Sequence, residues 1–401
     1  MKDKRLIIIF LTVFMDLVGF GIIIPLNPFL ARSFGASAAM VGWLMSIYSL
    51  MQFVFSPVWG QLSDRIGRRP VILWSLLGAG LAHLGFAFAS SLTGLMLARA
   101  LAGVFGGNIS TAMAYIADIT DEKDRSKGMG LIGAAFGLGF ILGPMLGGLA
   151  GEYGRQLGSQ PPLGESFPAL IAGSICLLNF VMALRVLPES RKAGAIGPER
   201  GLRLKRIGRA LNTPVLGALM GLVFVNTFAM AHIEASLFLF VQEHLGWSMS
   251  KASYGFGYIG VIMVFTQGYL IRKWMPRLGE RKVLMIGLLL SAVGFTLISV
   301  GGGLLPLFLA VTAIGLGNGL SNPSLSGSVS LVSGAEEQGK NLGVSQSLSS
   351  LARILGPASG GLLYQLVGAW APFAVAGALA FYAFASAVLI QKRLPESGLS
   401  R

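Results

Sequence analysis

The sequence predicts an all-α membrane protein: twelve transmembrane helices in two six-helix, pseudo-symmetric bundles. Three observations lead there. Charged residues make up only 12% of the chain and hydrophobic residues 54%. The charged share is about half the roughly 25% of soluble domains, too little polar surface to cover a water-soluble globule. Twelve apolar runs can be placed, most of the ~20 residues that a helix needs to cross a hydrocarbon core. One phrase also occurs twice: Leu142-Gly143-Pro144-Met145-Leu146-Gly147-Gly148-Leu149 returns 213 residues later as Leu355-Gly356-Pro357-Ala358-Ser359-Gly360-Gly361-Leu362.

The runs fall near 6–30, 39–62, 71–90, 92–117, 127–150 and 168–187, then near 214–241, 252–273, 282–301, 304–331, 341–367 and 371–390. The first follows Lys2, Lys4 and Arg5 and continues to about Leu26 with no small-residue cleavage site, so it reads as a span and not as a secretory signal. The offset of 213 also brings Asp124, Lys127 and Gly130 onto Glu337, Lys340 and Gly343, and an offset of 207 brings Leu187-Pro188-Glu189-Ser190 onto Leu394-Pro395-Glu396-Ser397. Two halves follow, 1–187 and 213–401. They are joined by the cytoplasmic basic linker 188–212, in which Gly194, Gly197, Pro198 and Gly201 lie among eight basic residues from Arg185 to Arg209. Paired helical repeats in a membrane are the pattern of transporters that bind between repeats.

The excess of glycine, 56 residues, fits helices that approach closely in lipid. With both termini placed in the cytoplasm, 26 of the 31 basic residues fall on the inner side and only Arg32, Arg155 and Lys251 outside, while Arg99 and Arg353 lie within spans. The net charge of +14 is thus confined to short connectors and gives no basic face for nucleic acid. Cys176, the single cysteine, sits in an apolar run and excludes an intramolecular disulfide. The stretch Gly255-Phe256-Gly257-Tyr258-Ile259-Gly260 fits a dinucleotide pattern, but no strand precedes it. No phosphate loop, metal-ligand cluster or paired nucleophile and base is present in the sequence. The chain is therefore expected to be neither an enzyme nor an ATP-driven pump, and to need no cofactor or metal.

The connector after the second span reads Gly60-Gln61-Leu62-Ser63-Asp64-Arg65-Ile66-Gly67-Arg68-Arg69-Pro70. It resembles the signature loop of the major facilitator superfamily. Leu95, Arg99 and Gly103 resemble the span-four motif of its proton-coupled members. Gly139, Gly143, Pro144, Gly147 and Gly148 resemble the antiporter motif of its drug/proton exporters, and Asp16, Gly19, Gly21 and Pro25 the opening of the tetracycline-exporter branch. The resemblance implies that Asp64, Arg68 and Asp118, with Gly60, Arg65, Gly67 and Arg69, form a cytoplasmic gate cluster favouring the outward-open state. It also implies that spans one, four, seven and ten line a central cavity. The second-half loop, Gly268 to Val283, keeps Gly279 and basic residues but has no counterpart of Asp64. Tetracycline exporters carry further carboxylates in spans three and nine. Here Ala82 and Ser291 stand at those places, a departure that argues against tetracycline itself.

An ionisable group at bilayer depth costs at least ~2.5 to 3.5 kcal/mol on insertion scales, so each one calls for a function or a partner. Asp16, Arg99, Glu234 and Arg353 are such groups, and Asn226, Asn318, Asn322, Gln52 and Gln267 could add hydrogen bonds in the same cavity. Asp16 and Glu234 are read as proton carriers or contacts for a cationic substrate, and Arg99 as a charge that tunes a neighbouring carboxyl. The expected function is proton-coupled export of a small amphipathic or cationic compound by alternating access. The expected partners are that compound, protons and the lipid bilayer, in a monomer of the inner membrane. Uptake or facilitated exchange of a metabolite is the alternative, with a non-transporting receptor on the same scaffold behind it.

Overall fold

The computed structural model describes residues 2–120, 122–190, 208, 210–334 and 337–391. The basic residues from Arg191 to Arg206, Arg209 and the second Leu-Pro-Glu-Ser copy lie outside them. The described residues are helical almost throughout and contain no strand.

Span one is Lys2–Ser33, span two Ala38–Ile66 and span three Arg68–Ala87. Span four is split into Leu92–Phe105 and Ile109–Ile119 by a 3-10 turn, Gly106–Asn108. Span five is Glu122–Leu157 and span six Phe167–Val186. Span seven is Pro214–Leu245. Span eight starts at Met249, passes through a π turn at Thr266–Leu270 and runs into Ile271–Val300, which turns at Gly279 (φ 75°) to begin span nine. Spans ten, eleven and twelve are Leu304–Val332, Gln338–Leu366 and Ala371–Ile390.

Ten helical stretches are long and apolar enough to cross a membrane, and one of them, Met249–Val300, is 52 residues long and supplies two crossings. Span eleven is not among the ten. Ser345, Ser347, Ser349, Ser350 and Arg353 make it more polar, although its 29 residues are enough to cross the bilayer. Large apolar side chains such as Trp74, Leu97, Leu178, Leu305 and Leu389 stand exposed, as a surface meeting lipid requires.

Two compact units form: Met1–Pro198 with Val241–Tyr258, and Glu199–Phe240 with Ile259–Arg401. Within the first, span three packs on spans four and six; within the second, span nine packs on spans ten and twelve. The repeated phrase performs one task in both units. In span five, a Cβ added at Gly143 would lie 2.7 Å from the Gly21 Cα of span one, and one at Gly139 would meet Leu17 at 2.8 Å. In span eleven, a Cβ at Gly356 would lie 2.7 Å from Ala231 of span seven, and one at Gly360 would strike the His232 carbonyl. Gly356 and Gly360 are the counterparts of Gly143 and Gly147, so small residues bring two backbones together at matched places. Pro144 and Pro357 each remove a helical N–H beside these contacts.

The stretch Val241–Tyr258, where span seven ends and span eight begins, packs within the first unit. Arg32 forms an ion pair with Glu243, Arg155 donates to the Ser250 hydroxyl at 3.3 Å, and a Cβ at Gly148 would lie 3.0 Å from Tyr254.

Candidate functional site

Asp16 stands about halfway along span one, half-buried, and its carboxylate accepts a hydrogen bond of 3.1 Å from the Asn108 side chain. Asn108 belongs to the turn that splits span four, and Gly106 and Gly107 make the turn possible. A Cβ at Gly106 would collide with the Tyr48 hydroxyl, and one at Gly107 would lie 2.9 Å from Trp59. The carbonyls freed by the split are taken up by side chains: Gln52 donates to the Gly106 carbonyl at 2.8 Å and Trp59 to that of Val104. An interrupted membrane helix is tolerated when its backbone groups are satisfied in this way. Gln52 therefore secures the turn that presents Asn108 to Asp16. Cys176 of span six is buried against Gly19, one turn further along span one, in the electrostatic reach of Asp16.

Arg99 lies about two turns before the split and is only 3% exposed. Its Nε and Nη1 are buried without a hydrogen-bond partner, and no carboxylate of the described residues pairs with it. Aromatic faces surround it instead: the guanidinium carbon is 4.5 Å from the centroid of Tyr48 and 5.8 Å from that of Phe20. A desolvated cation–π contact supplies roughly 2 kcal/mol, so the two rings together are comparable with the insertion cost of about 2.5 to 3.5 kcal/mol for arginine at the bilayer centre. They do not, however, give Nε and Nη1 an acceptor. His83 of span three also lies within the electrostatic reach of Arg99.

In the second unit, three asparagines form a chain between spans seven and ten. Asn226 donates to Asn322 at 3.0 Å, and Asn322 donates to Asn318 at 2.8 Å. Glu234, further along span seven, has Arg353 of span eleven as its electrostatic neighbour. His232, buried, sits within 3.0 Å of the Ser359 hydroxyl. Gln267 is exposed on the π turn of span eight, away from the asparagine chain, while the adjacent Thr266 is buried against Gly319.

The loop between spans two and three gathers charge around Arg68, which is 8% exposed. Its guanidinium meets Asp64 at 2.7 Å and Asp118 at 3.1 Å and donates to the Ser63 hydroxyl at 2.6 Å. Gly67 (φ 101°) ends span two and lets Arg68 start span three immediately. The first N–H groups of span three then donate to one carboxylate: those of Arg68 and Arg69 reach Glu189 at 2.9 and 3.1 Å. An anion at a helix N-terminus satisfies donors that have no intrahelical acceptor. Arg69 donates to the carbonyls of Leu187 and Leu184, both at 2.7 Å, and Ser190 donates to Asp118 at 3.0 Å. Arg65 is exposed. The sequence reading did not single out Glu189, Ser63, Asn108, Tyr48 or Phe20. A signal existed for two of them: the duplicated Leu-Pro-Glu-Ser for Glu189, and the Gly-Gly pair inside an apolar run for Asn108.

The family model described as Major Facilitator Superfamily matches residues 9–278 and 270–401. The chain belongs to the major facilitator superfamily. It is 34% identical to the class E tetracycline resistance protein of Escherichia coli, over 90% of this chain and 88% of that protein. It is 30% identical to multidrug resistance protein 2 of Bacillus subtilis (strain 168), over 91% and 90%. Among solved structures it resembles the human organic anion transporter MFSD10 (TETRAN), with a TM-score of 0.72 and 26% identity over 96% of this chain and 99% of that one. The chain is thus a multi-pass secondary transporter of a superfamily whose members are not enzymes.

Proposed function

We propose that this transporter is a proton-coupled antiporter that exports a small amphipathic compound by alternating access. The observation that carries the reading is Asp16, a carboxylate at bilayer depth positioned by Asn108 on the split of span four. A titratable carboxyl inside a membrane bundle is the standard element of a proton pathway. Glu234 beside Arg353 is the corresponding carboxyl of the second unit, and Asn226, Asn318 and Asn322 offer polar contacts to the compound. Tetracycline and multidrug resistance proteins among the relatives support export.

The test is flux in liposomes of the purified chain with a trapped pH dye. An imposed pH gradient is expected to drive accumulation of a transported compound, and adding that compound without a gradient is expected to move protons. Flux that ignores the gradient in both directions makes the chain a facilitator.

The proposed arrangement is a monomer in the inner membrane with halves 1–187 and 213–401, and both termini and the 188–212 connector in the cytoplasm, a topology that the distribution of basic residues supports. A cysteine replacing Gly194 should stay unlabelled by an impermeant maleimide in sealed cells and react once the cells are opened. Strong labelling in sealed cells reverses the map.

A further inference from the structure

We propose that Arg99, with Tyr48 and Phe20, is the subsite for the charged group of an aromatic organic anion, and that the compound carried is of this class. The inference rests on the transporter reading above and adds the sign of charge that its substrate bears.

A guanidinium enclosed at bilayer depth needs an anion, because ring faces carry no formal charge and burial strengthens every uncompensated field. Within the described residues no group supplies it: Asp16 is engaged by Asn108, no carboxylate pairs with Arg99, and His83 can only be neutral or positive. A Cβ at Gly103 would press on the Tyr48 carbonyl and one at Gly106 on its hydroxyl, so these two glycines set where the Tyr48 ring lies against Arg99.

Phe20 is the only partly buried ring of the pair. It meets Tyr48 at 4.8 Å with the rings tilted by 33° and Phe140 edge-on at 6.0 Å. Tyr48 and Phe20 flank the cation and Phe140 packs on Phe20, an aromatic cluster that a ligand ring extends while its acidic group reaches the guanidinium. A cationic compound entering the same place would face a like charge in a low dielectric.

Calorimetry on the purified chain in lipid nanodiscs, with three probes sharing one ring, tests this: 2-naphthoate, 2-naphthamide and 2-naphthylmethylamine at neutral pH. The naphthoate is expected to bind at least about tenfold more tightly than the amide, and the amine most weakly. Arg99→Gln should remove the difference between acid and amide while leaving amide binding within about threefold. Arg99→Lys and Tyr48→Leu each retain a cation and cover the case that Arg99→Gln does not fold. The lysine variant should keep part of the acid preference, and the leucine variant should weaken all three probes.

No binding of naphthoate, equal binding of acid and amide, preference for the amine, or an acid preference that survives Arg99→Gln overturns the proposal. Counterflow of naphthoate in liposomes separates the two levels. Selective binding without flux keeps the subsite and counts against transport of this class, whereas flux without charge selectivity keeps the transporter and removes the subsite.

Discussion

Replacing Asp64 by asparagine is expected to remove most transport, at least about tenfold in initial rate, while substrate binding and folding survive. Asn keeps the shape and one acceptor oxygen, and Arg68 retains Asp118 at 3.1 Å and Ser63 at 2.6 Å. The lost charge-assisted contact is worth about 1.5 to 3 kcal/mol at most. That figure is an upper bound, because the carboxylates are 20% and 28% exposed and partly screened. Arg68→Ala removes the cation shared by Asp64 and Asp118, and is expected to destabilise the fold more than Asp64→Asn does.

Glu189→Gln isolates a second role. It weakens the anion that holds the start of span three, worth about 0.3 to 1 kcal/mol, without touching the Asp64 charge, so turnover should fall by less than about threefold. A transport assay paired with a melting curve separates the cases. If Asp64→Asn turns over normally, or loses no more than Glu189→Gln, the loop is a joint between helix ends and does not set the balance of conformations.

The parts of this molecule that were legible in the sequence are those the bilayer dictates. Each crossing must be long and apolar, so its position shows in composition, and helices that touch at the backbone must carry glycine, so Gly143 and Gly356 declared themselves by recurrence. Span eleven shows the limit of hydropathy: it was placed as an apolar run like the others, yet its serines and Arg353 keep it out of the ten stretches apolar enough to cross a membrane. What stayed hidden depends on which face a side chain occupies. Phe20 and Tyr48 read as ordinary apolar residues among many, yet they, and not a carboxylate, surround Arg99.

The Gly-Gly pair marked a break in span four, but the role of Asn108 stayed hidden because a hydrogen bond of 3.1 Å to a residue 92 positions away leaves no local pattern. The π turn at Thr266 was equally silent, being a change of hydrogen-bond register with no composition of its own. Ser291 is buried hard against Gly317 of span ten, where a longer side chain has no room, a constraint that its sequence neighbourhood does not display.

Asp16→Asn and Glu234→Gln are each expected to uncouple the transporter: gradient-driven accumulation falls to the level of empty liposomes, while exchange without a gradient persists within about threefold of the parent rate. The argument is one of charge. Alternating access can move protons only through a group that binds one in one state and releases it in the other, and within the described spans the carboxyls at depth that fit are these two. The amide variants keep the size of each side chain and its capacity to hydrogen-bond, so Asn at position 16 can still meet Asn108 and the split of span four should hold its shape. What they lose is the ability to carry a proton. Asp16 should have the larger effect, because Asn108 fixes its carboxylate directly, whereas Glu234 interacts with Arg353 through its field. Asn108→Ala should fall between parent and Asp16→Asn, lowering coupling without abolishing it. The measurement is accumulation ratio against imposed pH difference for the parent, both single variants and the double variant. If the double variant still concentrates substrate with the parent's dependence on the gradient, neither carboxyl carries the proton, and coupling lies elsewhere in the chain.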